Sequence, residues 1–109
     1  MLDFSKVITK EMKQEAALAN LRKQFESATQ DFMDGKAQEM GYDSLLTAIS
    51  YAEEPEVEQF QEEGRAFRAW RSRVWAYAHE QLRQVMAGEK AQPTVEDFVA
   101  GLPELELPA

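Results

Sequence analysis

The stretch EEGRAFRAWRSRVWAYAHEQL at residues 62–82 constrains the fold more than any other part of the chain. It contains both tryptophans, Trp70 and Trp75. Its large apolar side chains recur at spacings of three or four residues, which places them on one face of an α-helix. Burying one tryptophan removes roughly 200 Å² from water, which at about 25 cal/mol per Å² contributes about 5 kcal/mol before opposing terms. We therefore expect this segment to form the main helix and to centre the core.

The apolar face of this main helix extends on both sides of the tryptophans. Starting from Val57, its members are Phe60, Phe67, Trp70, Val74, Ala78, Leu82 and Val85. Gly64 lies on the same face, and a glycine inside a helix costs about 1 kcal/mol relative to alanine. We expect that cost to be accepted because the backbone of a neighbouring helix approaches Gly64 closely. Gly88 is predicted to end the helix.

Residues 1–40 are predicted to contain one long helix that starts near Thr9 and ends at Gly35 or Gly41. Its apolar residues follow a heptad spacing over about two heptads, whereas a free-standing coiled coil needs three or four. The members of this seam are Leu18, Leu21, Phe25, Ala28 and Phe32. The seam has two interpretations. It packs against the rest of the chain, or it joins copies in a homodimer or higher homo-oligomer.

Two shorter helices are predicted on either side of the main helix. The first begins after Asp43 or Ser44, either of which can cap it. Its apolar face would consist of Leu45, Leu46, Ile49 and Ala52. The second begins after Thr94 and ends at Gly101. The final stretch LPELELP at residues 102–108 contains two prolines and is predicted to be extended, either lying on the core or free to contact a partner.

Together these patterns predict an all-α fold. At 109 residues the chain has the length of one domain. We expect a small bundle of about four helices, with a long amino-terminal helix and an extended carboxyl-terminal tail. Within that single domain, residues 1–40 would supply a possible oligomerisation element and residues 41–109 a compact helical region.

Charge is distributed unevenly along the chain, which has a net charge of −8. Residues 42–64 carry seven acidic residues and no basic one, whereas residues 65–90 carry six basic and two acidic residues. Binding to duplex DNA requires a concentrated positive face, so overall acidity argues against a nucleic-acid partner. The simplest interpretation of the contrast is internal, because the acidic segment can partly neutralise the arginines that follow it.

Residues that catalysis or metal binding usually needs are scarce. The chain has no cysteine and one histidine, His79, which argues against thiolate chemistry and a two-histidine metal site. No glycine-rich phosphate loop is present, and the acidic residues form adjacent pairs of the kind that is usually solvated. We expect no enzymatic activity, no metal and no cofactor. No apolar run approaches the ~20 residues that span a bilayer, so we expect a cytoplasmic protein that does not enter a membrane.

One side of the main helix is a candidate partner surface. It is formed by Arg68, Arg71, Trp75 and His79, next to the apolar face. Tryptophan and arginine are over-represented at the centres of protein interfaces. The alternative is that Trp75 belongs to a wide apolar stripe and packs inside the fold, with His79 as a solvated or stacked surface group.

Three segments in fixed order carry a family resemblance. They are GYDSLLTAISYA at 41–52, EGRAFRAWRSRVWAYAHEQL at 63–82 and PTVEDFVAGLP at 93–103. Together they resemble a group of short bacteriophage and prophage proteins that are encoded among tail and tail-fibre genes. The resemblance covers residues 36–109. The linker EEPEVEQFQE at 53–62 is more acidic than the resemblance leads us to expect.

The resemblance implies a role rather than a reaction. It leads us to expect a non-enzymatic phage or prophage protein that binds another tail or tail-fibre protein during assembly. Such a protein would act in the host cytoplasm or remain on the phage particle. The alternative is a small prophage-encoded regulator that binds nucleic acid or a host protein.

Overall fold

The computed structural model describes residues 10–108, and within that range it is helical without any strand. The helices are α1 (Lys10–Glu39), α2 (Leu45–Ser50), α3 (Glu58–Met86) and α4 (Val95–Ala100), with a 3₁₀ turn at Tyr51–Glu53 after α2. An extended tail follows α4. The predicted all-α bundle of four helices, with a long first helix and an extended tail, is confirmed. The predicted start at Thr9 lies outside the described residues, as do the rest of residues 1–9 and Ala109.

The two short helices begin at side-chain caps. The hydroxyl of Ser44 accepts a hydrogen bond from the backbone N–H of Thr47 at 3.3 Å. The hydroxyl of Thr94 accepts one from the N–H of Asp97 at 3.0 Å. Each bond satisfies an N–H group that the first turn of a helix leaves without an intrahelical partner. Of the two residues predicted to cap α2, Ser44 therefore does so.

Glycines end the two long helices. Gly41 follows α1 with a φ of 92°, and Gly88 follows α3 with a φ of 76°. A residue in this left-handed conformation lets the last carbonyl groups of a helix find donors, and only glycine adopts it without strain. Gly35 lies inside α1, so of the two candidate ends Gly41 is the one used.

Helices α1 and α3 run antiparallel. Near the end of α3, the Sδ atom of Met86 lies 3.7 Å from Nη2 of Arg22. In the middle of α3, the ring of Trp70 lies 5.7 Å from that of Phe32, measured between centroids. The part of α1 before Arg22 therefore extends past the end of α3.

Trp70 and Phe67 of α3 are completely buried, as the sequence predicts. Helix α4 closes the core from the side of α1, where the rings of Phe25 and Phe98 lie 4.4 Å apart. The largest fully buried side chains are Trp70, Phe25, Phe67, Met33, Leu45, Val74 and Thr29.

The seam predicted on α1 is divided by the structure. Leu21 and Phe25 are 6% and 1% exposed and belong to the core, which supports the packing interpretation for these two residues. Leu18, Ala28 and Phe32 are half-buried. Farther along α1 the buried positions are Thr29, Met33 and Ala37, which the predicted seam does not contain.

The close approach predicted at Gly64 is confirmed. A Cβ atom placed on Gly64 would lie 2.6 Å from the backbone nitrogen of Ala52 and 2.8 Å from the carbonyl oxygen of Ala48. Side chains do not tolerate such distances, and both atoms are backbone atoms that cannot swing away. Gly64 therefore lets α2 and the 3₁₀ turn lie directly on α3.

The predicted apolar face of α2 differs from the structure at one position, whereas the tail matches its predicted placement on the core in part. Leu46 is 67% exposed, so the predicted apolar face of α2 is wrong at this position, and Ala48 is buried instead. The tail lies on the core at its start, where Leu102 is 5% exposed, while Leu107 near its end is 49% exposed. No helix within residues 10–108 combines the length and the apolar character that crossing a membrane requires.

Candidate partner-binding surface

The four residues of the predicted partner surface lie along one side of α3. Arg68 and His79 are exposed, and Arg71 and Trp75 are half-buried. Their spacing of three and four residues brings them onto one stripe beside the buried stripe of the helix. The ring centroids of Trp75 and His79 are 5.6 Å apart, with 37° between the ring planes. The structure thus brings the four predicted residues together, and we call them the α3 surface.

Trp75 takes part in both the core and the surface. It packs against the buried cluster that contains Trp70 and Val74, and part of its ring remains exposed. The interpretation in which Trp75 packs inside the fold is therefore supported in part, and its interpretation as a contact residue stays a prediction. Because its inner side is fixed by packing, Trp75 can be covered by a partner with little further loss of side-chain freedom.

The α3 surface keeps much of its positive charge. Arg68 donates a hydrogen bond from Nη1 to Oε1 of Glu53 at 2.6 Å, and this contact lowers the pKa of Glu53. It is the only ion pair between the acidic segment 42–64 and the arginines of α3 within residues 10–108. Arg71 and Arg73 form no ion pair with any of the described residues. Neutralisation of the α3 arginines by the acidic segment is thus limited to the ion pair between Arg68 and Glu53.

A groove continues the α3 surface toward α1. It has a volume of about 560 Å³ and is lined by Arg22, Glu26, His79, Leu82, Arg83, Met86 and Ala87. Arg83 is held by two carboxylates, with its Nη2 atom 2.9 Å from Glu80 and 3.0 Å from Glu89. The guanidinium of Arg83 and the amide of Gln84, both hydrogen-bonded to Glu80, lower the pKa of Glu80 to about 2. The charge of Arg83 is therefore satisfied within α3 and the turn that follows it.

The chemistry of this surface suits recognition. Within residues 10–108, no group of three or more histidine, cysteine or acidic residues could hold a metal ion. A half-buried indole ring, a guanidinium and an imidazole on one stripe can stack on a partner and donate hydrogen bonds to its carbonyl and carboxylate groups. The neighbouring groove can hold an apolar side chain against Leu82 and Met86.

A second aromatic assembly was not predicted from the sequence. The rings of Tyr42, Tyr51 and Phe60 lie 5.4–6.5 Å from one another. The hydroxyl of Tyr42 donates a hydrogen bond to Oε1 of Glu63 at 2.8 Å. Burial and this hydrogen bond to a carboxylate raise the pKa of Tyr42 to about 12. The three rings come from different elements, and no periodic pattern links them in sequence.

Comparison of the chain with protein-family models, with curated protein sequences and with solved structures found no match in any of the three. The resemblance of its three motif segments to phage tail-locus proteins accordingly stays a prediction.

Proposed function

We propose that this chain is a non-enzymatic bacteriophage or prophage protein that binds another protein during assembly of the tail or tail fibre. The observation that carries the proposal is that Arg71 and Trp75, two residues of the motif segments, lie only half-buried on the α3 surface. The partner would be another tail or tail-fibre protein. Binding would take place in the cytoplasm of the host cell, and the complex could persist in the particle.

Several residues of the motif segments have a task within the fold. Gly64 permits the contact between α2 and α3, Trp70 fills the core, and Thr94 caps α4. Arg71 forms no ion pair within residues 10–108, and Trp75 is only half-buried. The fold therefore explains the presence of Arg71 and Trp75 less well than that of Gly64, Trp70 and Thr94. Binding of a partner would explain these two residues.

The physical character of the α3 surface agrees with this role. Tryptophan and arginine are enriched among the few residues that provide most of the binding energy in protein interfaces. The groove beside His79 offers a concave feature next to these anchors. A partner segment with an acidic residue for Arg71 and an apolar residue for the groove would match the surface.

Co-purification from cells that express the surrounding tail genes tests the proposal. The unmodified chain should retain a tail or fibre protein at moderate salt, and Arg71→Glu should lose it. Arg73→Glu is the matched control because it makes the same charge change on another side of α3, at an exposed residue. Retention of the partner by both variants, or by neither, would contradict a role for the α3 surface.

The regulator alternative makes a different prediction in the same assay. A single-stranded nucleic acid would bind through several arginines at once, so its affinity would fall steeply with salt. Arg71→Glu and Arg73→Glu would then weaken binding by similar factors, because phosphate contacts depend on total charge. Binding of that kind, with no tail protein retained, would replace assembly by regulation as the proposed function.

A further inference from the structure

A second exposed patch lies where the 3₁₀ turn meets the start of α3. Val57 and Phe60 are 41% and 39% exposed, although both are large and apolar. The ring of Phe60 lies 5.4 Å from that of Tyr51 and 6.5 Å from that of Tyr42, between centroids. These edge-on contacts hold the exposed ring in a defined position. The patch is therefore a shaped surface rather than a single protruding side chain.

Two cavities flank the rings of this patch. The first has a volume of about 430 Å³ and is lined by Tyr51, Glu54, Glu56, Val57 and Phe60. The second has a volume of about 370 Å³ and shares Tyr51 and Phe60, with Glu63 in its wall. Each cavity thus combines an aromatic wall with at least one carboxylate.

The charged residues that line the two cavities are all acidic. No lysine or arginine lines either cavity, whereas Asp43, Glu54, Glu56 and Glu63 do. None of these four carboxylates forms an ion pair within residues 10–108. The ion pairs of the described chain use other carboxylates, those of Glu39, Glu53, Glu80 and Glu89. The acidic segment therefore presents unneutralised charge at the place where apolar rings are exposed.

We propose that Tyr51, Val57 and Phe60, with the carboxylates of Glu54 and Glu56, form a docking site for a segment of another protein that carries arginine beside an apolar residue. A guanidinium stacks on aromatic rings and is attracted by their faces. Its methylene stem packs on apolar surface, and its N–H groups donate charge-assisted hydrogen bonds to carboxylates. The apolar residue beside that arginine in the partner segment would cover Val57.

A second copy of the chain fits this site poorly. In a symmetric dimer the same patch lies on both sides of the interface. Glu54 and Glu56 of each copy would then face carboxylates of the other, and juxtaposed like charges oppose association. A basic segment from a different protein removes that repulsion and satisfies the carboxylates.

The site is distinct from the α3 surface. Phe60 and Trp75 are fifteen positions apart on one helix, which at 1.5 Å per residue separates them by about 22 Å. The proposal goes beyond the proposed function, because it requires no phage partner and can fail or succeed independently of it.

Fluorescence anisotropy with labelled peptides tests the site. The probe is an eight-residue peptide in which arginine alternates with leucine, and its control carries citrulline in place of every arginine. Citrulline keeps the length of the side chain but lacks the charge, and a carbonyl oxygen replaces one of the nitrogen groups that donate hydrogen bonds. The arginine peptide should bind at least about tenfold more tightly, since charge-assisted hydrogen bonds are about twice as strong as neutral ones. Equal binding of the two peptides would overturn the proposal.

Paired substitutions separate the site from the general negative field. The double substitution Glu54→Gln with Glu56→Gln should lower the affinity for the arginine peptide by about tenfold, because both carboxylates line the first cavity. Glu58→Gln with Glu62→Gln makes the same charge change in the same acidic segment at residues that line neither cavity. This control pair should lower the affinity for the arginine peptide by less than about twofold. An equal loss of affinity in both double variants would show that the peptide is attracted by the overall negative charge of the segment, and it would overturn the proposal.

Phe60→Ala tests the aromatic wall. Because Phe60 is 39% exposed, the variant should keep its helical circular dichroism while it binds the arginine peptide about tenfold more weakly. An unchanged affinity in a folded variant would contradict the proposal. Light scattering on a sizing column checks the alternative occupant. Dissociation of a dimer by Phe60→Ala would show that a second copy covers the patch, and the proposal would be wrong.

Discussion

The indole Nε1 of Trp70 donates a hydrogen bond to the carbonyl oxygen of Pro103 at 2.7 Å, across a sequence separation of 33 residues. Trp70 is completely buried, so its N–H cannot reach water. An unpaired buried donor costs free energy, and the tail supplies the acceptor that avoids this cost. This bond therefore ties the extended tail to the middle of α3.

Trp70→Phe should destabilise the protein and loosen the tail together. The variant keeps an aromatic ring but removes the donor and leaves a void, so we expect a loss of about 2 kcal/mol in the free energy of unfolding. Urea denaturation measures this loss, and limited proteolysis measures exposure of the tail. Trp75→Phe is the control, with an expected loss below about 1 kcal/mol because Trp75 is only half-buried. Equal losses in the two variants would contradict a special role of the bond to Pro103.

Gly64→Ala should destabilise the protein although alanine is the better helix former. The added methyl group would meet backbone atoms of Ala52 and Ala48 at 2.6 and 2.8 Å, so α2 and the 3₁₀ turn must move away from α3. We expect a net loss of about 2 kcal/mol, since overpacking outweighs the gain of about 1 kcal/mol in helix propensity.

Gly35→Ala is the matched control for this substitution. Gly35 also lies inside a helix, but a Cβ atom there would meet nothing within 4 Å apart from the adjoining backbone of α1 itself. The propensity gain should then appear alone, as a stabilisation of up to about 1 kcal/mol. Thermal unfolding measures the change in stability of both variants. Stabilisation by Gly64→Ala would show that the contact between α3 and α2 can relax without cost.

The parts of the fold that could be predicted from sequence depend on local signals. The burial of Trp70 follows from the helical spacing of large apolar residues. The cap at Thr94 and the ends at Gly41 and Gly88 follow from the backbone groups that helix termini leave unpaired. Gly64 was predictable because a glycine on an apolar helical face needs a reason, and close packing is the simplest one. None of these inferences required the arrangement of the helices in space.

The buried face of α1 shows where local signals end. Its core positions recur every four residues, and at about 100° per residue each step turns the buried face by about 40° around the helix. Phe25 lies in the core on the side that faces α4, whereas Met33 and Ala37 lie farther round the helix. The heptad pattern presupposes one straight partner helix along the whole of α1. The prediction made from it therefore included Phe32 and missed Met33. The choice depends on tertiary packing, which the spacing does not encode.

The candidate site was predictable only in part, for the same reason. Arg68, Arg71, Trp75 and His79 share a stripe of one helix, so their proximity follows from spacing alone. The groove beside His79 requires α1, and the cluster of Tyr42, Tyr51 and Phe60 requires the turn between α2 and α3. Features that are assembled from several elements left no periodic signal in the sequence.

Tyr42 should make stability depend on alkaline pH. Its pKa is raised from an ordinary value of 10.0 to about 12, so the folded state holds the phenolic proton more tightly than the unfolded state does. The resulting stabilisation is complete below pH 10 and is lost as the pH rises toward about 12. Tyr42→Phe should remove this contribution to the slope, and at neutral pH it should cost about 1 kcal/mol through the lost hydrogen bond to Glu63.

Urea denaturation between pH 9 and pH 12 compares the unmodified chain with Tyr42→Phe and with the control Tyr51→Phe. The hydroxyl of Tyr51 forms no hydrogen bond with the described residues, although its ring packs against that of Tyr42. The control should therefore keep the alkaline loss of stability that Tyr42→Phe removes. A steeper loss in Tyr42→Phe than in the unmodified chain would reverse the sign and contradict the assignment.

Self-association, if it uses α1, must use the part that extends past α3. Leu21 and Phe25 are already buried within one copy, whereas Leu18 is half-buried and the residues around it are exposed. We expect a homodimer of the 12.5 kDa chain that Leu18→Glu dissociates while the chain keeps its helical circular dichroism. Ala19→Glu is the control, because Ala19 is exposed on a different side of the helix, and this variant should remain dimeric. Light scattering on a sizing column gives the masses. A monomeric mass for the unmodified chain at high concentration would assign the whole seam to packing within one copy.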